Sequence, residues 1–173
     1  SNSKVSNGIE FHLTQFTNGT KTNVWTESLF KTPTNASIGF SPVKDGLSLS
    51  DYDDDGDLDL FLLSSNSALI KIFSNNGTTN LGSYTVSQIS TNANPTNIKF
   101  FDLDNDGKKE LIVGLTNKNV EIFSYSNSQW TQSNLLTAST SSSEIRVDVA
   151  DLDNDGFNDI VVFGKDGQTS IQV

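Results

Sequence analysis

The sequence predicts an all-β protein made of propeller-type blades of four antiparallel strands, arranged as three repeat units with split terminal strands. The first observation is a repeat, because DLDNDG occurs at 102–107 and 151–156, and the looser copy DYDDDG occurs at 51–56. The copies begin 51 and 49 residues apart, and a period of about 50 residues is typical of repeat architectures. The second observation is that Ser, Thr and Asn account for 60 of the 173 residues, which favours half-solvated strands and turns over long helices.

Short apolar or alternating runs flank each acidic segment. GLSLS, NIKFF and EIRVDVA precede the three segments, and LFLLSS, LIVGL and IVVFG follow them. These runs are short and rich in β-branched and aromatic residues, which indicates a strand on each side of every acidic loop. Two further strands are predicted in each of the first two units, and Asn76-Gly77 is a hairpin signal because both residues tolerate positive φ. A complete unit therefore has strands A, B, C and D, with the acidic loop between A and B.

The two ends of the chain read as partial units. GIEFHLTQF and NVWTESLF align with C and D strands joined by a turn at Asn18-Gly19, and GQTSIQV aligns with a final C strand. The predicted strand order is therefore CD, ABCD, ABCD, ABC. The predicted divisions are an N-terminal hairpin with its connector, a first blade, a second blade, and a third blade without its last strand, at residues 1–44, 45–96, 97–143 and 144–173.

The negative charge is concentrated in three places. The formal net charge is −10, and 14 of the 21 acidic residues lie in the stretches 51–59, 102–110 and 151–159. The other seven acidic residues stand against nine Lys and Arg residues, so the rest of the chain is close to neutral. No basic surface for nucleic acid is indicated. Cysteine is absent, which excludes disulfides and thiolate sites, and no apolar run is long enough to span a bilayer.

Each acidic stretch has nine positions with a pattern that suits a metal ion. Carboxylates at positions 1, 3 and 5 can surround one centre, glycine at position 6 permits the bend, and a carboxylate at position 9 can close the far side. The backbone carbonyl at position 7 is a further candidate ligand. Carboxylates packed so closely repel one another without a cation, and an ion that takes six to eight oxygen ligands flexibly is calcium. Three Ca²⁺ sites are predicted, with these candidate ligands: Asp51, Asp53, Asp55, Asp57, Asp59, Asp102, Asp104, Asp106, Lys108, Glu110, Asp151, Asp153, Asp155, Phe157 and Asp159.

Two other interpretations of the loops are weaker. An EF-hand needs Glu at position 12 followed by a helix, whereas position 12 here is Leu62, Val113 or Val162, each inside an apolar run. Asp-Gly turns that merely cap hairpins are the second alternative. Three copies with one common pattern favour metal binding over chance turns.

At these residues the chain resembles a known family. DYDDDGDLDLFLL, DLDNDGKKELIVG and DLDNDGFNDIVVFG are similar to the calcium loops of FG-GAP/VCBS repeats, the blades of integrin-alpha-type propellers. The resemblance implies all-β blades, calcium at positions 1, 3, 5, 7 and 9, and an extracellular location. Glu110 replaces Asp at position 9, and Phe163-Gly164 matches the FG element without the rest of that motif. Thirteen strands also fall short of the seven-bladed ring that is usual in the family.

Too few blades for a ring would leave strand edges that can pair with another chain. The sequence therefore predicts a structural or adhesive module whose copies join head to tail, the N-terminal strands of one completing the last blade of the next. Such a contact gives a ring or a filament, for example a surface appendage. The alternatives are a fragment of a longer propeller and a lectin-like or integrin-like module that binds glycans or cell-surface proteins.

No enzyme is predicted, because the sequence shows no nucleophile–base pair, phosphate-binding loop or histidine-based metal site. His12, the sole histidine, is predicted to face solvent. Trp25 and Trp130 are predicted to pack between blades, with sugar stacking as the alternative. Three asparagines match the N-glycosylation pattern, which applies only in a glycosylating cell: Asn18, Asn35 and Asn76.

Overall fold

The computed structural model describes residues 11–17, 20–27, 42–75, 84–142 and 144–164. These residues form twelve β-strands and no helix, so no helix of membrane-spanning length and hydropathy occurs among them. The strands are β1 (Phe11–Thr17), β2 (Thr20–Glu27), β3 (Pro42–Ser50), β4 (Asp59–Ser64), β5 (Leu69–Asn75), β6 (Tyr84–Ser90), β7 (Pro95–Phe101), β8 (Glu110–Leu115), β9 (Asn119–Ser126), β10 (Gln129–Thr137), β11 (Ile145–Ala150) and β12 (Asp159–Gly164).

Within each sheet, strands that follow one another in sequence pair in antiparallel register, as short connections between neighbours allow. Sheet I has the order β3-β4-β5-β6 and sheet II the order β7-β8-β9-β10. Two-stranded sheets are formed by β1 with β2 and by β11 with β12, and the latter is called sheet III. The predicted all-β class and the four-stranded blades are confirmed, although the described strands do not close into a ring. The predicted final strand GQTSIQV lies outside the described residues, and the division of the chain into units stays a prediction.

Sheets I and II pack face to face around the first apolar core. Phe61 and Leu63 of β4 and Ile70 and Ile72 of β5 are fully buried against the second sheet. Sheet II contributes mainly Ile98, Leu111, Val113, Leu115 and Phe123. Alternation along each strand sends every second side chain into this core, so the apolar runs on both sides of an acidic loop become the two sides of a blade.

Sheets II and III pack in the same way around a second core. Ile112, Val120 and Ile122 of sheet II meet Val147 and Val162 of sheet III. Because β8 supplies Leu111 and Val113 to the first core and Ile112 to the second, β8 is buried on both faces, and β4 is likewise buried along its whole length. The burial explains why the runs after the acidic segments are almost continuously apolar instead of alternating.

The stacking places the three acidic loops at corresponding positions of successive sheets. The loops join β3 to β4, β7 to β8 and β11 to β12. Asn158 of the third loop donates a hydrogen bond to the backbone carbonyl of Asp102 at 3.0 Å, and Asn105 of the second donates one to Gly156 at 3.3 Å. The second and third loops are therefore in direct contact.

Candidate metal sites in the blade loops

The three loops share one backbone conformation. The glycine at position 6 has φ of 91°, 90° and 90° in Gly56, Gly107 and Gly156. The residue at position 4 has φ of 60°, 61° and 61°, and it is Asp54, Asn105 or Asn154. Glycine, and to a lesser degree Asn and Asp, accept the left-handed region at low cost. The residue types at positions 4 and 6 therefore favour this bend locally.

Hydrogen bonds within each loop tie its first residue to its sixth. The Gly56 N–H donates to Oδ2 of Asp51 at 3.1 Å. Gly107 donates to Asp102 at 2.9 Å in the second loop, and Gly156 donates to the first aspartate of its loop at 3.0 Å. One oxygen of each position 1 carboxylate is thus held by the loop backbone.

The carboxylate at position 9 is held by the backbone of position 2. The Tyr52 N–H donates to Asp59 at 3.4 Å. The Leu103 N–H donates to Glu110 at 2.9 Å, with the same distance from the third loop's position 2 to Asp159. The longer Glu side chain therefore reaches the place that Asp occupies in the other loops.

The carboxylates of positions 1, 3 and 9 come together in every loop. In each loop one oxygen from each of these three side chains lies within 4.8 Å of the others. The clusters are Asp51 with Asp53 and Asp59, Asp102 with Asp104 and Glu110, and Asp151 with Asp153 and Asp159. Oxygen-only donors at this spacing suit a hard cation that accepts flexible geometry. Exposed acidic groups also cluster without any ion, so the clusters define candidate sites.

Positions 5 and 7 lie in the same loops but outside these three-carboxylate clusters. Oδ1 of the position 5 aspartate accepts the N–H of position 7 at 2.9, 2.8 and 2.8 Å in the three loops. This bond orients the aspartate along the turn and leaves its second oxygen for another partner. Their role as metal ligands stays a prediction for Asp55, Asp57, Asp106, Lys108, Asp155 and Phe157.

Burial increases the free-energy cost of keeping the carboxylates of these loops ionised, most of all in the first loop. Asp59 has no solvent exposure, and desolvation raises its pKa to about 6, although the N–H groups of Asn75 and Tyr52 act in the opposite direction. Burial also raises the pKa of Asp53 and of Glu110, and neighbouring carboxylates add to both shifts. A bound cation would relieve both the desolvation and the repulsion.

An orphaned oxygen indicates where such a cation would fit. Oδ1 of Asp51 is buried and has no hydrogen-bond partner among the described residues, and its carboxylate belongs to the first cluster. Buried carboxylate oxygens are normally satisfied by a donor or by a metal. The donor set and this unpaired oxygen both fit calcium. Position 12 of the loops, by contrast, is a buried strand residue in all three cases, at Leu62, Val113 and Val162, which excludes an EF-hand.

An aromatic cluster of Tyr52, Tyr125 and Trp130 packs the first loop against the second sheet. The Tyr52 ring stacks on Trp130 with centroids 5.2 Å apart and meets Tyr125 edge-on at 4.6 Å. Its hydroxyl lies 2.8 Å from Oγ of Ser74. Trp130 also packs against the first core, so the predicted packing between blades is confirmed for this tryptophan. The side chains of His12 and Trp25, and the three glycosylation candidates, lie outside the described part of the structure.

A cleft of about 290 Å³ lies between the first and second loops. Residues of both loops, together with the turn between β9 and β10, form its walls. Six of its thirteen lining residues are carboxylates of the two loops, and the others include Tyr52, Tyr125, Lys108 and Asn127. Sequence reasoning did not identify this cleft, because its walls come from two loops about 50 positions apart and from a turn that follows the second loop, and no local pattern joins them.

The fold and these loops define a class of protein: an all-β repeat protein in which an acidic loop with the geometry of a metal-binding site joins the first two strands of each blade. A comparison with family models identifies the FG-GAP-like repeat at residues 51–113 and again at 102–162. The two matches together cover more than half of the chain, so the chain belongs to the FG-GAP-like repeat family, as its loops predicted. A comparison with curated protein sequences finds no match.

Membership of this family defines the function at a coarse level. FG-GAP-like repeats are structural or ligand-binding modules, and they are typically not catalytic. They commonly bind calcium and occur in extracellular proteins. The three acidic clusters agree with the first of these properties.

Proposed function

We propose that the protein is an extracellular, calcium-stabilised structural or adhesive module whose copies assemble head to tail. The observation that carries the proposal is the recurrence of one three-carboxylate cluster, with one loop conformation, in three successive sheets. An enzyme needs only one copy of its active site, whereas this cluster occurs three times. A site repeated at the same corner of each blade is what we expect of an ion that stabilises the repeating unit itself.

Calcium would be held by the carboxylates of positions 1, 3 and 9, with position 5 and the carbonyl of position 7 completing the oxygen shell. Its charge would offset the repulsion within each cluster, and its bonds would tie the A strand to the B strand. Because the chain has no cysteine, these ions would take the place that disulfides have in many secreted domains. Sites of this kind fill where calcium is about 1 mM, which favours an extracellular location.

The terminal sheets support head-to-tail assembly. Within the described residues, β1 with β2 and β11 with β12 form two-stranded sheets, whereas the sheets between them have four strands. A two-stranded sheet has edge strands whose N–H and C=O groups can pair with another chain. The hairpin of β1 and β2 from one copy would complete the last blade of another. This heterologous contact would build a ring or a filament.

Direct calcium binding tests the first half of the proposal. Isothermal titration of the metal-free chain should show binding that Asp53→Asn weakens in the first loop. Asp54→Asn is the matched control, since it removes the same charge from the adjacent exposed position outside the cluster. Equal loss in both variants would indicate a diffuse charge effect and would contradict a coordinated ion.

Light scattering tests the second half. In calcium the protein should show a mass that rises with concentration beyond that of one chain of 18.8 kDa. Electron microscopy would then separate rings from fibres. A strictly monomeric particle at high concentration, with calcium bound, would rule out the assembly while leaving the metal sites in place.

The cleft between the first two loops favours a second candidate function. Its tyrosine rings and polar side chains offer the combination of apolar platform and hydrogen-bonding groups that ligand sites use. The protein would then be a lectin-like or integrin-like module for glycans or cell-surface proteins. A glycan array probed with the calcium-loaded monomer distinguishes the two, because the structural proposal expects no hit that depends on Tyr125.

A further inference from the structure

The strand β6 forms one edge of sheet I, because it ends the strand order β3-β4-β5-β6. Its pairing with β5 is regular along the whole strand, from Asn75 with Tyr84 to Leu69 with Ser90. No further described strand pairs with its other side. The backbone N–H and C=O groups that point outward from such an edge can form a ladder with one more strand.

Both faces of the middle of β6 are open to solvent. Val86, Ser87 and Gln88 are all exposed, although alternate side chains of a strand point to opposite faces. Val86 is 54% exposed, whereas Phe73, its pairing partner on β5, is only 3% exposed. Burial on that face therefore ends at β5, and the side chains of an incoming strand have room on both sides of β6.

The other three edge strands of sheets I and II each carry a feature that hinders the addition of a strand. Charged residues, proline and bulges are the usual protection of sheet edges. The strands β3 and β7 have both a register shift and protective residues, which are Pro42, Lys44 and Asp45 in β3 and Pro95 and Lys99 in β7. The strand β10 has a register shift between Gln132 and Asn134.

The strand β6 has none of these protective features. Its sequence, YTVSQIS, contains neither a charged residue nor a proline, and its register with β5 is unshifted. Serine, threonine, valine and isoleucine make up most of the strand, and these residues are compatible with strand pairing. Among the described edges of sheets I and II, β6 is therefore the edge best suited to accept another strand.

We propose that β6 pairs in antiparallel register with β6 of a second copy, so that their two four-stranded sheets become one continuous sheet of eight strands. The occupant is a second copy because β6 suits itself. An uncharged strand places no like charges opposite each other, and hydroxyl side chains can hydrogen-bond across the pair. The other edges of sheets I and II would bring a charge, a proline or a register shift into the ladder. Because one strand forms both halves, the contact is two-fold and closed, and it is separate from the head-to-tail contact of the terminal sheets.

Amide hydrogen exchange tests the pairing at the backbone. The chain is measured in calcium at a low and a high protein concentration. Exchange within β6 should become several-fold slower at the high concentration, because its outward N–H groups then donate to the second copy. Exchange within β10, the equivalent edge strand of sheet II, should be the same at both concentrations. Slowing confined to β1, β2, β11 and β12 would indicate the head-to-tail contact alone and would contradict pairing through β6.

A charge on the edge gives a second readout. Ser87→Lys should lower the dimer association constant, measured by sedimentation, several-fold, because two like charges then meet across the pair. Thr131→Lys is the matched control, since it adds the same charge at an exposed position of β10 and should leave association unchanged. Both side chains are exposed, so the thermal midpoint at low concentration should change little in either variant. An equal loss in the two variants would indicate general charge repulsion and would overturn the proposal, and so would a natural chain that stays monomeric at high concentration.

Discussion

At the scale of single residues, the glycine at position 6 of each acidic loop is explained by its backbone φ angle. Gly56, Gly107 and Gly156 all have φ near +90°, and an added Cβ at any of them would meet no atom of the described residues within 4 Å. Space is therefore not the reason for glycine at position 6. The reason is the steric clash of an L side chain with its own backbone at positive φ.

Replacing the glycine of the second loop measures that strain. Gly107→Ala should lower the free energy of unfolding by about 1–2 kcal/mol, because Ala at positive φ is strained by its own Cβ. Urea unfolding in EDTA checks the value without any metal effect. Gly107→Asn is the control, since Asn tolerates the left-handed region better and should cost less. Equal stability of the Ala variant and the natural protein would contradict the angle-based explanation.

Glu121 is a buried carboxylate away from the acidic loops. It is fully buried on β9, where its Oε1 accepts hydrogen bonds from the backbone N–H and the side-chain amide of Asn92. Its Oε2 has no partner in the part of the chain that the structure describes. Burial raises the pKa of Glu121 above 4.5, and the two Asn92 bonds only partly oppose that shift. The side chain ties the connector between β6 and β7 to sheet II.

The raised pKa of Glu121 predicts a pH-dependent stability. The folded protein binds the proton more tightly than the unfolded chain, so this contribution is fully present below pH 4.5 and is lost as pH rises through the folded-state pKa. Glu121→Gln cannot ionise, so its stability relative to the natural protein should increase with pH. Urea midpoints in EDTA, from below pH 4.5 to neutral pH, check the trend. Parallel pH curves for the two proteins would show that Glu121 does not titrate as described.

At the scale of elements, one asparagine side chain links two blades as a strand would. Nδ2 of Asn97 donates to the Val147 carbonyl at 2.9 Å, and the Val147 N–H donates to its Oδ1 at 3.0 Å. The Thr96 hydroxyl also donates to the carbonyl of Ile145. Gly114 opposite Asn97 keeps this space open, so β7 and β11 are joined through side chains at a position where β7 has a register shift.

Removing this link should destabilise the junction of sheets II and III. Asn97→Ala leaves the N–H and C=O of buried Val147 without partners, at a cost of about 1–3 kcal/mol. Gly114→Ala should have a similar effect because its Cβ would displace the amide. Chemical unfolding measures both costs. Asn94→Ala, which removes an exposed hydrogen bond to Ser65, is the control and should change stability little; an equal loss there would show that the asparagine link is not special.

At the scale of the whole molecule, calcium should decide how stable the stack is. A site with a dissociation constant of ~10⁻⁵ M in ~1 mM calcium adds roughly 2.7 kcal/mol. Three such sites are comparable with the total stability of a small domain, about 5–15 kcal/mol. EDTA should therefore lower the unfolding midpoint markedly, and added calcium should restore it. Magnesium is the control ion, because it demands a stricter octahedral geometry. An unchanged midpoint in EDTA would contradict structural calcium.

Much of the candidate site could be predicted from the chain alone, because each loop is a local unit. The nine positions bring Asp102 and Glu110 together through one bend, and the residues that form the bend lie between them. The same holds for the strands, since each apolar run beside a loop pairs with its neighbour in sequence. The 51- and 49-residue steps then predict the repeat and the family.

Other features required the folded structure because they join residues far apart in sequence. The cleft between the first two loops, the Asn97 link and the buried Glu121 each depend on segments about 30 to 50 positions apart. No periodic pattern reports such contacts, since a polar residue on a strand looks solvent-exposed until its partner is placed. Equivalent loops also differ in burial: Asp59 is fully buried while Asp159 is only half-buried.

The sequence by itself determined the repeat, the strand pairs and the three carboxylate clusters, because these follow from spacing along one short stretch of chain. Only the tertiary structure decided which faces become the two cores, which loop is most deeply desolvated and which apolar residues stay exposed at Leu49 and Phe163. The physical reason is the distance along the chain over which each interaction acts. Turn geometry and alternation act between near neighbours, whereas burial depends on which sheet comes to lie on which.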